Sequence, residues 1–295
     1  MVTIKVPATS ANFGPGFDSL GCALDMYATL SFSECEEGLT ITGCLPHHQT
    51  KDNLAVVSYQ KTIEALGLPM PGLILNIDSD IPISRGLGSS AAMIAAGVLA
   101  ANAHHGSTLS NSELLAICTQ IEGHPDNVAP ALFGGLIASM MDENKPYMIS
   151  YALHPDIHFC VFIPDFKLST HRARAALPKT ISFKDAVYNL SRTAVLCKAL
   201  EINDSQLIRI AMQDKLHQSY RGKMIHEYDQ LREICMEAGC ISFFISGAGP
   251  SCMCIVENDR FMEIMSEKLS KLNHHWTMRS LHVDREGARI LGTGK

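Results

Sequence analysis

Residues Pro82 to Ala92 read Pro-Ile-Ser-Arg-Gly-Leu-Gly-Ser-Ser-Ala-Ala, and they constrain the fold more than any other stretch of the chain. An apolar run, Leu73 to Ile77, precedes them and predicts a buried strand; an alanine-rich segment, Ala91 to Ala103, follows and predicts a helix. Strand, glycine-rich turn, serine pair and helix, in that order, aim backbone N–H groups and a helix N-terminus at one point, which suits a polyphosphate. Gly86 and Gly88 carry no Cβ, so the backbone there can approach a ligand closely. Ser89 or Ser90 can cap the helix, leaving the other hydroxyl for a metal ion or a phosphate oxygen. Other readings stay open at this point. Gly86-x-Gly88-x-x-Ala91 fits a loose dinucleotide-binding spacing, but the acidic residue expected about 20 positions on falls at Asn111 to Glu113, in an apparent helix start. No Gly-Lys-Ser/Thr follows the glycines, which excludes a Walker A loop. A plain glycine turn packing a helix on a sheet is the third reading.

Composition narrows the partners. At 295 residues the chain can bury one large or two moderate domains, and 46% hydrophobic with 18% charged residues is ordinary for a soluble globular protein. A net charge of −6 and a pI near 6.1 argue against a nucleic-acid or anionic-membrane surface as the main partner. No apolar run reaches the length of about 18 residues that a membrane span needs, and MVTIKVPATS lacks the apolar centre of a signal peptide. Ten cysteines show no CxxC pair and thirteen histidines no HExxH spacing. A structural zinc site is therefore not expected, and a cytoplasmic protein with reduced thiols is.

Val2 to Val6 predicts a strand ending at Pro7. From Pro7 to Asp18 the chain is dense in turn formers yet nearly uncharged, and Ser10, Asn12 and Asp18 among small residues suit a pocket wall; a β-turn with Asp18 as a local cap is the alternative. Further strands are expected at Leu24 to Phe32, Leu39 to Thr42, Leu136 to Met140, His158 to Ile163, Cys240 to Ile245, Cys252 to Glu257 and Trp276 to Val283. Helices are expected at Asn53 to Leu66, from Ser110 or Ser112 through Ile121, at Phe183 to Leu200, Asp204 to Met212, Met224 to Ala238 and Arg260 to Leu272, with a short helical turn in Ser169 to Pro178. Glu122, His124, Asp126 and Asn127 form a polar cluster where a buried helix ends, a place from which a metal carboxylate can project. A self-capped terminus explains Asp126 and Asn127 but leaves Glu122 without a role. The glycine-rich Ser246 to Ser251 is either a tight connection or a close backbone approach to a ligand. Helices and strands alternate in both halves, and a boundary is expected near residue 155, dividing the chain into 1–155 and 156–295.

Pro7–Asp18, Pro82–Ala92 and Ser246–Ser251, together with EGHPDNVAPALFGG, resemble the GHMP small-molecule kinases. The wording PATSANFGPGFDSLG, HPDNVAPALFGG and STHRARAALP is similar to the branch of that family that phosphorylates L-homoserine, and the similarity spans nearly the whole chain. The resemblance implies an α+β, two-domain architecture, with an N-terminal domain of the ribosomal-protein-S5-like type that binds ATP and a C-terminal ferredoxin-like domain. It implies transfer of a phosphoryl group from ATP to the side-chain hydroxyl of L-homoserine, giving O-phospho-L-homoserine for threonine synthesis. By the same matching, Pro82, Ile83, Ser84, Arg85, Gly86, Leu87, Gly88, Ser89, Ser90, Ala91 and Ala92 would wrap the ATP phosphates. Ser90 and Glu122 would hold Mg²⁺, and Asn12, Asp18, His124, Asn127, Arg174 and Arg221 would line the homoserine site, with Thr170 near the transferring phosphoryl group. Thr170, Asn127 and Arg174 would then be the catalytic set. A homodimer is a common assembly for such enzymes and is an expectation here.

Residue chemistry runs the same way. A zwitterionic substrate wants a guanidinium for its carboxylate, which Arg174 or Arg221 offers, and a carboxylate for its ammonium, which Asp18 offers. Asn12 can orient a hydroxyl or an amino group. No lysine near the first motif beyond Lys5 offers a base, and Asp126 is the only candidate base in the HPDN cluster. The expected mechanism is direct in-line attack, with the proton passing late to the phosphoryl oxygens.

Overall fold

The computed structural model describes residues 1–257 and 260–293. Strand β1, Val2–Ala11, buries Val2, Ile4 and Val6 by alternation and then continues through Pro7, contrary to the expected stop. A register shift between Pro7 and Ala8 against the next strand absorbs the proline, and the small residues Ala8 to Ala11 are buried beyond it. β1 pairs antiparallel with β2, Leu20–Cys35. β3, Leu39–Thr42, runs parallel to β4, Gly72–Ser79, and β4 pairs with the outer half of β2.

Helices α1, Leu54–Ala65, α2, Ser89–His104, α3, Asn111–Glu122, and α4, Pro125–Phe133, cover this sheet. α2 is alanine-rich and buried on several faces, because the other helices and β1 enclose it. Ser110 and Glu113 form a reciprocal capping box that starts α3, and Gly123, at φ 93°, stops it. Pro125 then begins α4, so His-Pro-Asp-Asn is a helix start, not the loop its glycine and proline suggest: a proline at the first helical position loses no hydrogen bond. β5, Leu136–Asp142, pairs with the inner end of β2 and with β6, Lys145–Tyr151, a strand not anticipated from the sequence.

A second sheet holds β7, His158–Pro164, β8, Ser242–Ile245, β9, Cys252–Val256, and β10, Trp276–Leu281, all antiparallel in the spatial order β10-β7-β9-β8. This is the ferredoxin-like order. Between β7 and β8 lie α5, Thr170–Ala175, α6, Phe183–Ile202, α7, Ser205–Ala211, α8, Gln218–Arg221, and α9, Tyr228–Glu237; α10, Arg260–Leu269, precedes β10. α9 starts at Tyr228, not Met224, because Glu227 takes a left-handed conformation (φ 60°) while its carboxylate accepts from the His274 N–H and the Trp276 indole N–H. The chain then returns to the first sheet as β11, Arg289–Thr293, antiparallel to β1. Residues 289–293 thus belong spatially with the first half, although a cut at 155 counts them with the second. Among the described residues no helix is long and apolar enough to cross a membrane.

Candidate active site

The three turn-rich segments meet in one cavity of about 840 Å³, walled by residues from both halves of the chain. Its floor is the Pro82–Ser90 loop. Ser84, Gly86 and Gly88 have φ of 58°, 76° and 71°, and this alternation of left-handed residues curls the loop into a concave backbone. The two glycines are obligatory. A Cβ on Gly86 would lie 2.3 Å from the Ser246 carbonyl oxygen, and one on Gly88 2.0 Å from Thr9 Oγ1. Gly88 itself caps α2, with no side-chain cap, so neither serine does the capping expected of it and the first turn stays open to an anion. Leu87, Ala91 and Ala92 do not line the cavity; they are buried beneath the loop, and Leu87 carbonyl accepts from Thr9 N–H.

Ser90 Oγ donates to Glu122 Oε2 at 2.6 Å, joining the start of α2 to the end of α3 beside the loop. Burial raises the Glu122 carboxyl above its ordinary value, with the Ser90 hydrogen bond opposing. One hydroxyl and one carboxylate, both oxygen donors next to an anion-binding loop, fit a hard divalent cation that keeps its other positions for water and phosphate.

Another part of the lining is charged. Arg174, on α5, grips Asp18 bidentately at 2.8 and 2.9 Å, so the two groups expected to meet the substrate's opposite charges meet each other. Arg221 is 1% exposed, donates to the Gly247 carbonyl at 3.1 Å and leaves Nε without a partner. Burial and the Arg174 charge beside it push the Arg221 guanidinium down to about 10. Asp214, accepting from Asn189 and from the backbone N–H groups of Leu216, His217 and Gln218, shapes the turn that presents this arginine. His217 Nε2 meets the Gly14 carbonyl at 2.9 Å and ties that turn to the first motif.

Asn12 lines the cavity but is already committed: its Nδ2 donates to the Gly247 carbonyl and its Oδ1 accepts from Asp18 N–H. Thr9 Oγ1 donates to Asn127 Oδ1 at 2.9 Å, which fixes that amide with its Nδ2 donor uncommitted. His124 Nδ1 is hydrogen-bonded to Asp126 Oδ1, and this bond raises the imidazole above its ordinary value. Asp126 is buried and its Oδ2 has no partner. Thr170 lies exposed on the cavity wall at the start of α5. The Ser246–Ser251 turn connects β8 to β9 and borders the cavity: Gly247 and Ala248 line it, and Ser246 Oγ donates to the Gly86 carbonyl at 2.6 Å.

Sequence reasoning missed Thr9, Asp214 and His217, which act through other residues, and the far wall at Leu45, His48, Asn53 and Leu54. Thr9 sat inside a motif already singled out. The far wall gives no signal beyond mixed polarity.

Comparison with known proteins agrees with this geometry. Residues 53–135 match the GHMP kinases N terminal domain and residues 196–274 the GHMP kinases C terminal domain. The homoserine kinase of Clostridium botulinum is 43% identical over 98% of both chains, and that of Clostridium beijerinckii 41% identical over 99% of both. The crystal structure of homoserine kinase from Cytophaga hutchinsonii superposes with a TM-score of 0.86 at 28% identity, covering 98% of this chain and 97% of that one. The chain belongs to the GHMP kinase family. The two Clostridium relatives, which match it over nearly their whole length, are homoserine kinases.

Proposed function

We propose that this protein is a homoserine kinase, transferring the γ-phosphoryl group of ATP to the side-chain hydroxyl of L-homoserine. The observation that carries the reading is one cavity lined both by an anion-binding loop and by Asp18, Arg174 and Arg221. A zwitterion with a hydroxyl on a short arm fits between them: guanidinium for carboxylate, carboxylate for ammonium, and the hydroxyl toward Asn127 and Thr170. Sugars and mevalonate-type alcohols lack the ammonium and would offer nothing to draw Asp18 away from Arg174. We assign the backbone of Pro82–Ser90, and not the Arg85 guanidinium, to the phosphates and the apolar wall at Leu45 and Leu54 to the nucleoside.

Mg²⁺, held by Ser90 and Glu122, would neutralise charge on the phosphate oxygens. Uncommitted N–H groups of the loop and the first turn of α2 neutralise charge on the same oxygens. In the transfer, the substrate oxygen forms the new bond to the γ-phosphorus as the bond to the bridging oxygen of ADP breaks. The hydroxyl proton passes late to a phosphoryl oxygen, a route that a loose transition state permits without a strong base. Asp126, with one oxygen on His124, holds the imidazole in place in this scheme; loss of several orders of magnitude in kcat on Asp126→Asn, with both substrates still binding, would overturn it. Residues 1–155 and 156–288, with β11 returning to the first sheet, are the two domains of this reading. A cytoplasmic setting goes with it and suits ten unbridged cysteines; a homodimer goes with it too, and sedimentation tests that assembly.

The deciding experiment is ADP release from Mg-ATP with L-homoserine, L-serine, L-threonine, galactose and mevalonate offered separately. Release with L-homoserine well above the other four is expected. Preference for any of the others overturns the assignment.

A further inference from the structure

Arg85 sits in the middle of the phosphate loop, where a cation would ordinarily be read as a phosphate ligand. Its guanidinium is committed elsewhere. Nε donates to the Pro164 carbonyl at 2.9 Å, Nη2 to the Asp165 carbonyl at 2.9 Å and Nη1 to the Ile83 carbonyl at 3.2 Å. Pro164 ends β7, and only residues 166–169 separate Asp165 from Thr170 and α5, the helix that carries Arg174. Asp165 is itself held: its N–H donates to the His275 carbonyl, and its carboxylate accepts from His275 N–H. The loop backbone around Arg85 is fixed as well, with Ser251 N–H donating to the Arg85 carbonyl and Ser246 Oγ to that of Gly86.

We propose that Arg85 is a positioning residue that couples the two halves of the cavity: it clasps the phosphate loop to the root of the acceptor-binding helix, so that nucleotide and acceptor each favour the other's binding. The inference rests on the reading of the cavity as a nucleotide site joined to a zwitterion site. The planar fork suits this clasp because it meets two consecutive carbonyls and a third on its own loop at once; a lysine ammonium on a flexible stem would not span them. Nucleotide phosphates that steady the loop steady residues 164–165 through these bonds, and α5 with that segment. Such coupling is reciprocal by necessity.

The test compares the wild-type chain with Arg85→Ala and Arg85→Lys. Binding of a non-hydrolysable ATP analogue with Mg²⁺ is measured with and without L-homoserine, and binding of L-homoserine with and without the analogue. In wild type each ligand is expected to tighten the other at least about fivefold. In Arg85→Ala that factor falls below about twofold, while analogue affinity without acceptor stays within about threefold; Arg85→Lys restores little, because charge alone is not the requirement. An analogue affinity lowered tenfold or more with the coupling factor retained would make Arg85 a direct phosphate ligand and overturn the proposal. An unchanged factor in Arg85→Ala, or no coupling in wild type, does so equally. Amide hydrogen exchange separates this outcome from the identity of the acceptor. The analogue alone is expected to slow exchange across 165–176 in wild type and not in Arg85→Ala, whichever alcohol proves to be the substrate. No change in wild type refutes the clasp.

Discussion

On the proposed reading, the entering acceptor must contend with the Asp18–Arg174 pair. Its side chains are 33% and 46% exposed, so solvent screens it and its worth to the free protein is at most about 1 kcal/mol. Either substitution, Asp18→Asn or Arg174→Gln, should therefore shift thermal stability little. Each removes one charge-assisted hydrogen bond to the substrate, worth about 1.5–3 kcal/mol, and is spared up to about 1 kcal/mol of breaking the pair, a net loss of roughly 2- to 150-fold in kcat/KM at about 1.4 kcal/mol per decade. The double variant carries more information. If the substrate must break the pair on entry, wild type bears that cost, and each single variant escapes it because no pair remains. The double variant escapes it only once while losing both contacts. Its loss should then exceed the product of the single losses by up to about fivefold, the equivalent of the pair's 1 kcal/mol. Steady-state kinetics on the four proteins, with the ADP assay at saturating Mg-ATP, reads the cycle directly. Single losses below about twofold would refute contact with the acceptor. A double loss smaller than the product would show the pair intact in the complex.

Three further outcomes are expected. Glu122→Gln should lower kcat/KM at least 100-fold on the order of a lost metal ligand, yet raise Tm in the absence of Mg-ATP. Burial raises the Glu122 carboxyl in the folded protein, so the folded state loses stability as pH rises from the unfolded value through the raised one; the Tm advantage of the glutamine variant should vanish well below that window and be complete above it. Gly88→Ala should cost about 1–3 kcal/mol, since φ of 71° and a Cβ 2.0 Å from Thr9 Oγ1 both oppose it, and should raise KM for ATP more than KM for homoserine; a wild-type Tm would sink the reading of the loop. Thr9→Val removes the hydroxyl that fixes Asn127 and should lower kcat about 10-fold with ATP affinity unchanged; equal losses in both would mean a general disturbance of β1.

Most of the architecture was legible because its signals are local. The strand before Pro82, the helix after Ser89, the box at Ser110 and Glu113 and the glycine stop at Gly123 all follow from patterns within a few residues of one another. The misses share another cause. β11 is a strand because β1 offers it a free edge, and β1 runs past Pro7 because a register shift against β2 makes room for the ring. Both facts lie in a partner distant in sequence. α4 was hidden by chemistry that serves two purposes: the glycine and proline that read as a loop are one helix's stop and the next helix's start.

The site divides in the same way, and the division has a physical basis. Residue type marks Asp18 and Glu122 and narrows the others to Ser89 or Ser90 and Arg174 or Arg221, and the family resemblance chooses among them. Whether such a group faces a ligand or a neighbour depends on contacts that sequence does not record. Arg85 and Arg221 show both outcomes. Arg85, in the strongest motif of the chain, turns its guanidinium to three carbonyls, while Arg221, with no motif around it, is buried beside the cavity with one nitrogen unpartnered. A buried guanidinium that leaves a donor unsatisfied costs free energy that the fold recovers only when an anion arrives. Arg221→Met should accordingly keep or raise thermal stability while acceptor binding falls at least 10-fold, with a hydrogen bond to a charged group lost. A variant that unfolds, or one that binds acceptor as wild type does, would assign Arg221 to the scaffold.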